Sequence, residues 1–234
     1  MIKIMPGEQR FHANHGWLSS RFSFSFAEYH DPANMHFSVM RVLNDDVIQP
    51  GTGFGMHPHN NMEIVTYVIE GELEHQDSMG NREVLREGEV QRMTAGTGVY
   101  HSEYNASQER PLHLLQMWFF PAERGLTPSW EQRGFDHRTA RRNQLVPVVS
   151  GRDHAGTLRI HQDMVIYLAN TDKDQTITYQ QTHGENLHLF VIKGKVALNG
   201  DHVLTPGDAA RITQEPSISL TAQEEAEWML IDLP

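Results

Sequence analysis

A chain of 234 residues, 38% hydrophobic and without cysteine, is long enough for one large or two small packed domains and can build neither a disulfide nor a thiolate metal site. Its net charge of −11, from 19 basic against 30 acidic residues, repels a nucleic-acid backbone. No run approaches the ~20 apolar residues of a membrane helix, and the opening Met1-Ile2-Lys3-Ile4-Met5-Pro6 has no apolar secretory core, so a cytoplasmic protein with neither nucleic-acid nor membrane partners is expected.

Residues 1–20 read as a short strand and a loop carrying His12, His15 and Trp17. Two histidines three apart in a Gly-containing loop are unspecific, and local hydrogen bonding is expected of them. Phe22, Phe24 and Phe26 alternate with Ser23 and Ser25, which predicts a strand with an aromatic inner face; its rings are read as core, with a pocket wall as the other reading. Phe37 to Leu43 is the next strand, ended by Asn44-Asp45-Asp46.

The stretch from Gly51 to Asn105 follows, and it carries the chemistry. His57 and His59 are two apart, as are His101 and Glu103. Side chains along a strand repeat with period two, so each pair shares a face. Two such strands side by side aim three imidazoles and a carboxylate at one point, a donor set suited to a divalent first-row metal. Between the pairs, the β-branched run Ile64 to Ile69 and turns at Glu70-Gly71, Gly80-Asn81 and Glu87-Gly88 predict antiparallel strands, in a barrel or sandwich with the metal in its mouth. His75-Gln76-Asp77 and His161-Gln162-Asp163 also place His and Asp on one face; both aspartates are read as turn caps. Glu63 is a second carboxylate candidate, separated from His59 by Asn60-Asn61-Met62.

Leu112 to Phe120 is a long apolar strand closed by Pro121, and Ala122 to Gln144 shows little periodicity and reads as a connection. Its arginines (Arg133, Arg138, Arg141, Arg142) are read as a solvated linker. Short strands resume from Leu145, and this half repeats the first. Tyr67-Val-Ile-Glu-Gly71 corresponds to Phe190-Val-Ile-Lys-Gly194, and Met117 to Pro121 corresponds to Leu230 to Pro234. In the copy, Gln180 and Thr182 stand where His57 and His59 do, while Leu220 and Ala222 stand where His101 and Glu103 do. His183 and His188 lie nearby without a partner pair and are read as ordinary histidines. Three segments are expected: a metal-binding domain over 1–121, a connection over 122–144 and a degenerate copy over 145–234.

His-Pro-His at 57–59, Thr66-Tyr67-Val68-Ile69-Glu70-Gly71 and the run from Thr94 through Gly98 to His101-Ser102-Glu103 and Asn105 resemble the pirin family of the cupin superfamily, including its bacterial members with quercetin 2,3-dioxygenase activity. Further matching runs lie at 12–18, 24–27, 31–32 and 41–46, so the resemblance spans essentially the whole chain. A proline common in the second cupin motif is Thr94 or Gly96 here. The resemblance implies an all-β fold of two tandem cupin-type β-barrels (a bicupin) with an intact metal site in the N-terminal one only. It implies ligands His57, His59, His101 and Glu103 for one divalent ion per chain, Fe²⁺ first, with Zn, Ni, Cu, Mn or Co open. Glu103 is the expected base, with Glu63 the runner-up or a hydrogen-bonding neighbour of the ligands. The implied reaction takes a flavonol-like aromatic substrate and O₂, opening the ring with loss of carbon monoxide. The alternative is a redox-sensitive, metal-binding regulator with a protein partner. A monomer is expected.

Overall fold

The computed structural model describes residues 1–135, 140–182 and 185–234. Apart from one 3-10 turn at Gly7–Gln9, the regular elements are strands. The first half holds β1 (Ile2–Met5), β2 (Phe11–Asn14), β3 (Leu18–Phe22), β4 (Met40–Ile48), β5 (Gly53–His59), β6 (Glu63–Glu70), β7 (Glu72–Asp77), β8 (Arg82–Arg86), β9 (Glu89–Thr94), β10 (Val99–Asn105), β11 (Leu112–Phe119) and β12 (Ser129–Gly134). The second holds β13 (Val146–Ser150), β14 (Leu158–Arg159), β15 (Val165–Thr171), β16 (Thr176–Gln180), β17 (Asn186–Lys193), β18 (Val196–Leu198), β19 (His202–Leu204), β20 (Ala209–Thr213), β21 (Ser217–Ala222) and β22 (Ala226–Leu233).

Phe11–Phe135 with Leu158–Gln162 form one compact unit; Met1–Arg10 and most of the chain after residue 140 form the other. In the first, a seven-stranded sheet ordered β12-β9-β6-β11-β4-β3-β2 accompanies a four-stranded sheet ordered β5-β10-β7-β8. Strand β6, dense in β-branched residues, is buried at every position but Glu70, as expected of a strand covered on both faces. In the second unit, β20-β17-β22-β15 and β16-β21-β18-β19 reproduce the orders β9-β6-β11-β4 and β5-β10-β7-β8. The repeat read from the sequence is therefore a repeat of topology: two cupin sheets pairs, in a bicupin. Leucines, valines and Trp228 fill the second unit's core. Strand β1 pairs with β20, at the position that β12 takes beside β9 in the first unit. The compact units thus divide the chain differently from the sequence boundaries at 121 and 145, taking the first ten residues into the C-terminal unit and Leu158–Gln162 into the N-terminal one.

Three expected elements shift. The alternating Phe/Ser run does not continue as a strand past Phe22, because Ser25 turns the chain by bonding both the N–H and the carbonyl of Asp31. The strand expected to stop at Asn44 runs on through Asp46 to Ile48, since its acids find partners: Asp45 with His113 at 2.6 Å and Asp46 with Ser20. The connection read over 122–144 contains β12, which pairs with β9 from Ser129↔Thr94 to Gly134↔Glu89. Within that stretch Arg141 is buried, 3.7 Å from Glu227, rather than solvated, while exposed Arg142 binds Asp172. Arg138 and His183 lie outside the described residues. No helix among the described residues is long and apolar enough to cross a membrane.

Candidate metal centre

Strands β5 and β10 are antiparallel neighbours, with His57 opposite His101 and His59 opposite Val99. Between His101 and Glu103 the register shifts, so that Glu103 faces Phe54; a bulge of this kind re-aims side chains locally. The close approach depends on Gly53, where an added Cβ would sit 2.2 Å from the Glu103 carbonyl oxygen. Ring centroids of His57, His59 and His101 are 4.4–4.9 Å apart, and the three offer ligand atoms all within 4.8 Å of one another. His57 places Nδ1 2.7 Å from the Gly55 carbonyl, so Nδ1–H donates there and Nε2 keeps its lone pair. His101 is fully buried, and neither of its ring nitrogens has a hydrogen-bond partner.

Electrostatics favours neutral rings. Burial, then the neighbouring histidines, push His59 down to about 4 and His101 down to about 3. Both are lone-pair donors at neutral pH. Glu103, also buried, accepts from Gln116 Nε2 at 2.7 Å and Gln91 Nε2 at 3.3 Å. Each glutamine is oriented in turn by an indole: Trp118 Nε1 donates to Gln116 Oε1 at 3.1 Å, and Trp130 Nε1 to Gln91 Oε1 at 2.9 Å. Because each amide oxygen is already engaged, each amide N–H is left for the carboxylate.

His75 joins the group from β7, where it stands opposite Glu103. Its Nε2 lies 3.1 Å from Asp77, its ring stacks on Trp130, and its Nδ1 has no partner. With His101 and Glu103 it makes a second set of ligand atoms within 4.8 Å. Asp77 does cap its turn, accepting from the Met79 and Asn81 N–H groups, but it holds His75 as well. The alternation His75-x-Asp77 was the available signal; pairing with β10 is what gives it meaning.

Glu63 has other partners. It accepts from Thr94 Oγ1 at 3.1 Å and the His161 N–H at 3.2 Å, with the His161 ring 3.5 Å away, and burial raises its pKa. Asp163 binds Arg152 at 2.6 Å. His12 bonds Ser19 locally, and His15 pairs with Glu28 at 3.3 Å.

The histidine cluster opens into a cavity of about 370 Å³, walled by Trp17, Phe26, Phe54 and Trp118 and carrying His57, His59, Glu103, Asn44 and Asp46. An apolar pocket of this size with few convergent polar groups suits a small aromatic ligand. Phe26 thus lines the pocket, while Phe24 belongs to the core. Gln91, Gln116, Asn44 and Asp46 went unread in the sequence, since amides and turn-type residues carry no metal spacing. The residues present fit a divalent ion: three neutral imidazoles beside a carboxylate, one of the rings buried with both nitrogens unsatisfied.

The family model Pirin matches residues 6–119, and the model for the quercetinase C-terminal cupin domain matches residues 147–233. A quercetin 2,3-dioxygenase of Escherichia coli K12 is 49% identical over 234 residues, covering 100% of this chain and 99% of that protein. The crystal structure of YhhW from E. coli matches with a TM-score of 0.95 at 47% identity, covering 100% of this chain and 98% of that one. A structure of the same bacterial pirin in complex with nickel(II) matches at TM-score 0.94 and 46% identity, covering 100% and 99%.

Proposed function

The chain belongs to the pirin family, and from that premise we propose that it is a metal-dependent dioxygenase that opens the ring of a flavonol such as quercetin, with His57, His59, His101 and Glu103 holding one divalent ion, Fe²⁺ in the working enzyme. The observation that carries the reading is His101, buried with two unsatisfied ring nitrogens, facing His57 and His59 at the floor of an aromatic cavity. The relatives named quercetin 2,3-dioxygenase and the nickel-bound pirin support it.

When bound, the ion supplies Lewis acidity that lowers the pKa of a substrate hydroxyl. The chain's own residues do the rest. Trp17, Phe26, Phe54 and Trp118 bind the planar substrate and keep water from it. His59 and His101 stay neutral, and the Gln91 and Gln116 amides fix the orientation of the Glu103 carboxylate. Of the two candidate bases, Glu103 lines the cavity and takes the substrate's proton at Oε1, the oxygen with the longer amide contact. Glu63, committed to Thr94 and His161, serves the fold.

The test is anaerobic loading with Fe²⁺, then a screen of polyphenols for oxygen uptake and carbon monoxide release. Stoichiometric consumption of a flavonol and O₂ supports the enzyme. No turnover, together with a protein partner whose binding follows the ion's oxidation state, would replace it with the regulator.

A further inference from the structure

Asn44 and Asp46 are two apart on β4 and so share a face. They stand in the wall between the cavity over the imidazoles and a second cavity of about 360 Å³. The two spaces share Trp17, Phe26, Phe54, Asn44 and Asp46, whereas the second contains none of the candidate ligands and is bounded instead by His15, Phe22, Ala27 and Glu28. The result is an elongated aromatic groove with its polar groups at the waist.

Both polar groups are under-used by the fold. Asn44 is 4% exposed and its Oδ1 has no hydrogen-bond partner. A buried amide oxygen left in that state is destabilising, and the nearest relief is a donor arriving through the cavity. Asp46, also 4% exposed, accepts from the Ser20 hydroxyl through Oδ1, while Oδ2 makes no hydrogen bond to the described residues. Burial raises its carboxyl to about 7, with Asp45 and Glu103 adding to the rise against the Ser20 bond, so near neutrality it meets a ligand hydroxyl as acceptor or as donor.

We propose that the second cavity is a binding subsite for the part of the aromatic substrate remote from the three imidazoles, and that Asn44 and Asp46 select substrates bearing hydroxyl groups on that part. This rests on the flavonol reading of the neighbouring site. A flavonol is long enough to need both chambers, being a fused bicycle with a pendant ring. The aromatic walls accept its faces, and the two unsatisfied oxygens at the waist accept its phenolic protons. A substrate without those hydroxyls leaves them buried and unpaired, which is the arrangement by which sites reject analogues lacking a polar group.

The experiment measures equilibrium binding to nickel-loaded protein without oxygen, so that turnover plays no part. The probes are quercetin, the same flavonol lacking the hydroxyls of its pendant ring, and a single-ring hydroxypyrone that fits the first chamber alone. Wild type is expected to prefer quercetin over its dehydroxy analogue by about tenfold, the worth of one hydrogen bond to a carboxylate. Asp46→Leu and Asn44→Leu are expected to bring that ratio near one, with metal content unchanged. Ala27→Phe, which adds bulk at a residue lining the second chamber and not the first, is expected to weaken both flavonols about tenfold and spare the hydroxypyrone. If quercetin binds but the ratio survives in both leucine variants, or Ala27→Phe binds it normally, the subsite is overturned and the flavonol reading stands. Failure of both flavonols to bind wild type, with the hydroxypyrone still bound, overturns both.

Discussion

Two carboxylates, Glu63 and Glu103, are buried, and the structure assigns them separable consequences. Glu103→Ala removes a proposed ligand and leaves the amides of Gln91 and Gln116, already oriented by Trp130 and Trp118, without their acceptor. Changes to groups that merely orient a ligand cost about 10–100-fold in metal affinity, so loss of the ligand itself is expected to exceed 100-fold. Metal-free stability falls as well, because two oriented amide N–H groups lose their buried acceptor, at about 1–3 kcal/mol each before the relief of no longer burying a carboxylate. Glu63→Ala lowers stability but spares the metal. It deprives the His161 N–H of its acceptor and removes the anion beside Arg92 and the His161 ring, while Thr94 Oγ1 keeps its contact with His161 Nδ1. One orphaned buried donor and one lost charge partner amount to about 3 kcal/mol, a fall in Tm of roughly 6–12 °C for a chain of this size. Metal affinity stays within about threefold, since none of the proposed ligands hydrogen-bonds Glu63. Chelator competition reads the first quantity and urea unfolding of the metal-free protein the second. Should Glu63→Ala empty the site while Glu103→Ala stays loaded, the carboxylate assignment is wrong.

Metal analysis is expected to find about one tightly held ion per chain, since the C-terminal repeat keeps the strands and lacks the ligands; two equally tight ions would refute the one-site reading. Gly53→Ala drives a Cβ to within 2.2 Å of the Glu103 carbonyl and 2.5 Å of Tyr104 Cα, so β5 must leave β10, and both stability (by about 2 kcal/mol or more) and metal affinity should fall together in unfolding and chelator titrations. His188 is buried and pushed down to about 3, by burial first and then by Arg211 and Arg10. The unfolded chain takes up that proton near pH 6.5 and the folded one does not, so His188's share of stability is complete above about 6.5 and is lost as the pH falls toward 3. Relative to His188→Leu, wild type should lose on the order of 1–2 kcal/mol between pH 6.5 and 5; parallel pH profiles would contradict this. His12→Ala, removing only a local contact with Ser19, should leave metal affinity unchanged by the same chelator assay.

The legibility of the site follows from period two. His57, His59, His101 and Glu103 are each one strand step from a partner, so pattern alone pairs them, and the β-branched runs and glycine turns between them announce the strands. Asp45 and Asp46 misled for a physical reason: acids that normally end strands are kept in β4 by His113 and Ser20, which arrive from strands remote in sequence. β12 was illegible because its residues are half-exposed and show no alternation, its place being set by pairing to β9. Gln91 and Gln116 gain their role from Trp130 and Trp118, and no local spacing encodes an amide turned by an indole.

Strand β5, which carries His57 and His59, has a neighbour on one side only, β10, and is among the least buried strands of its unit. An edge strand frays before a central one, so in the metal-free protein the imidazoles on β5 ride on the segment readiest to lift. That would give an ion a way in, and an ion held by the proposed ligands on β5 and β10 would substitute for the missing second row of backbone bonds as a clasp. Amide hydrogen exchange should register it: fast along 53–59 without metal, slowed toward the rates of β10 with it. Pro58, between the two histidines, has no N–H to offer an incoming strand, so the edge can open for an ion without inviting a second chain to pair along it.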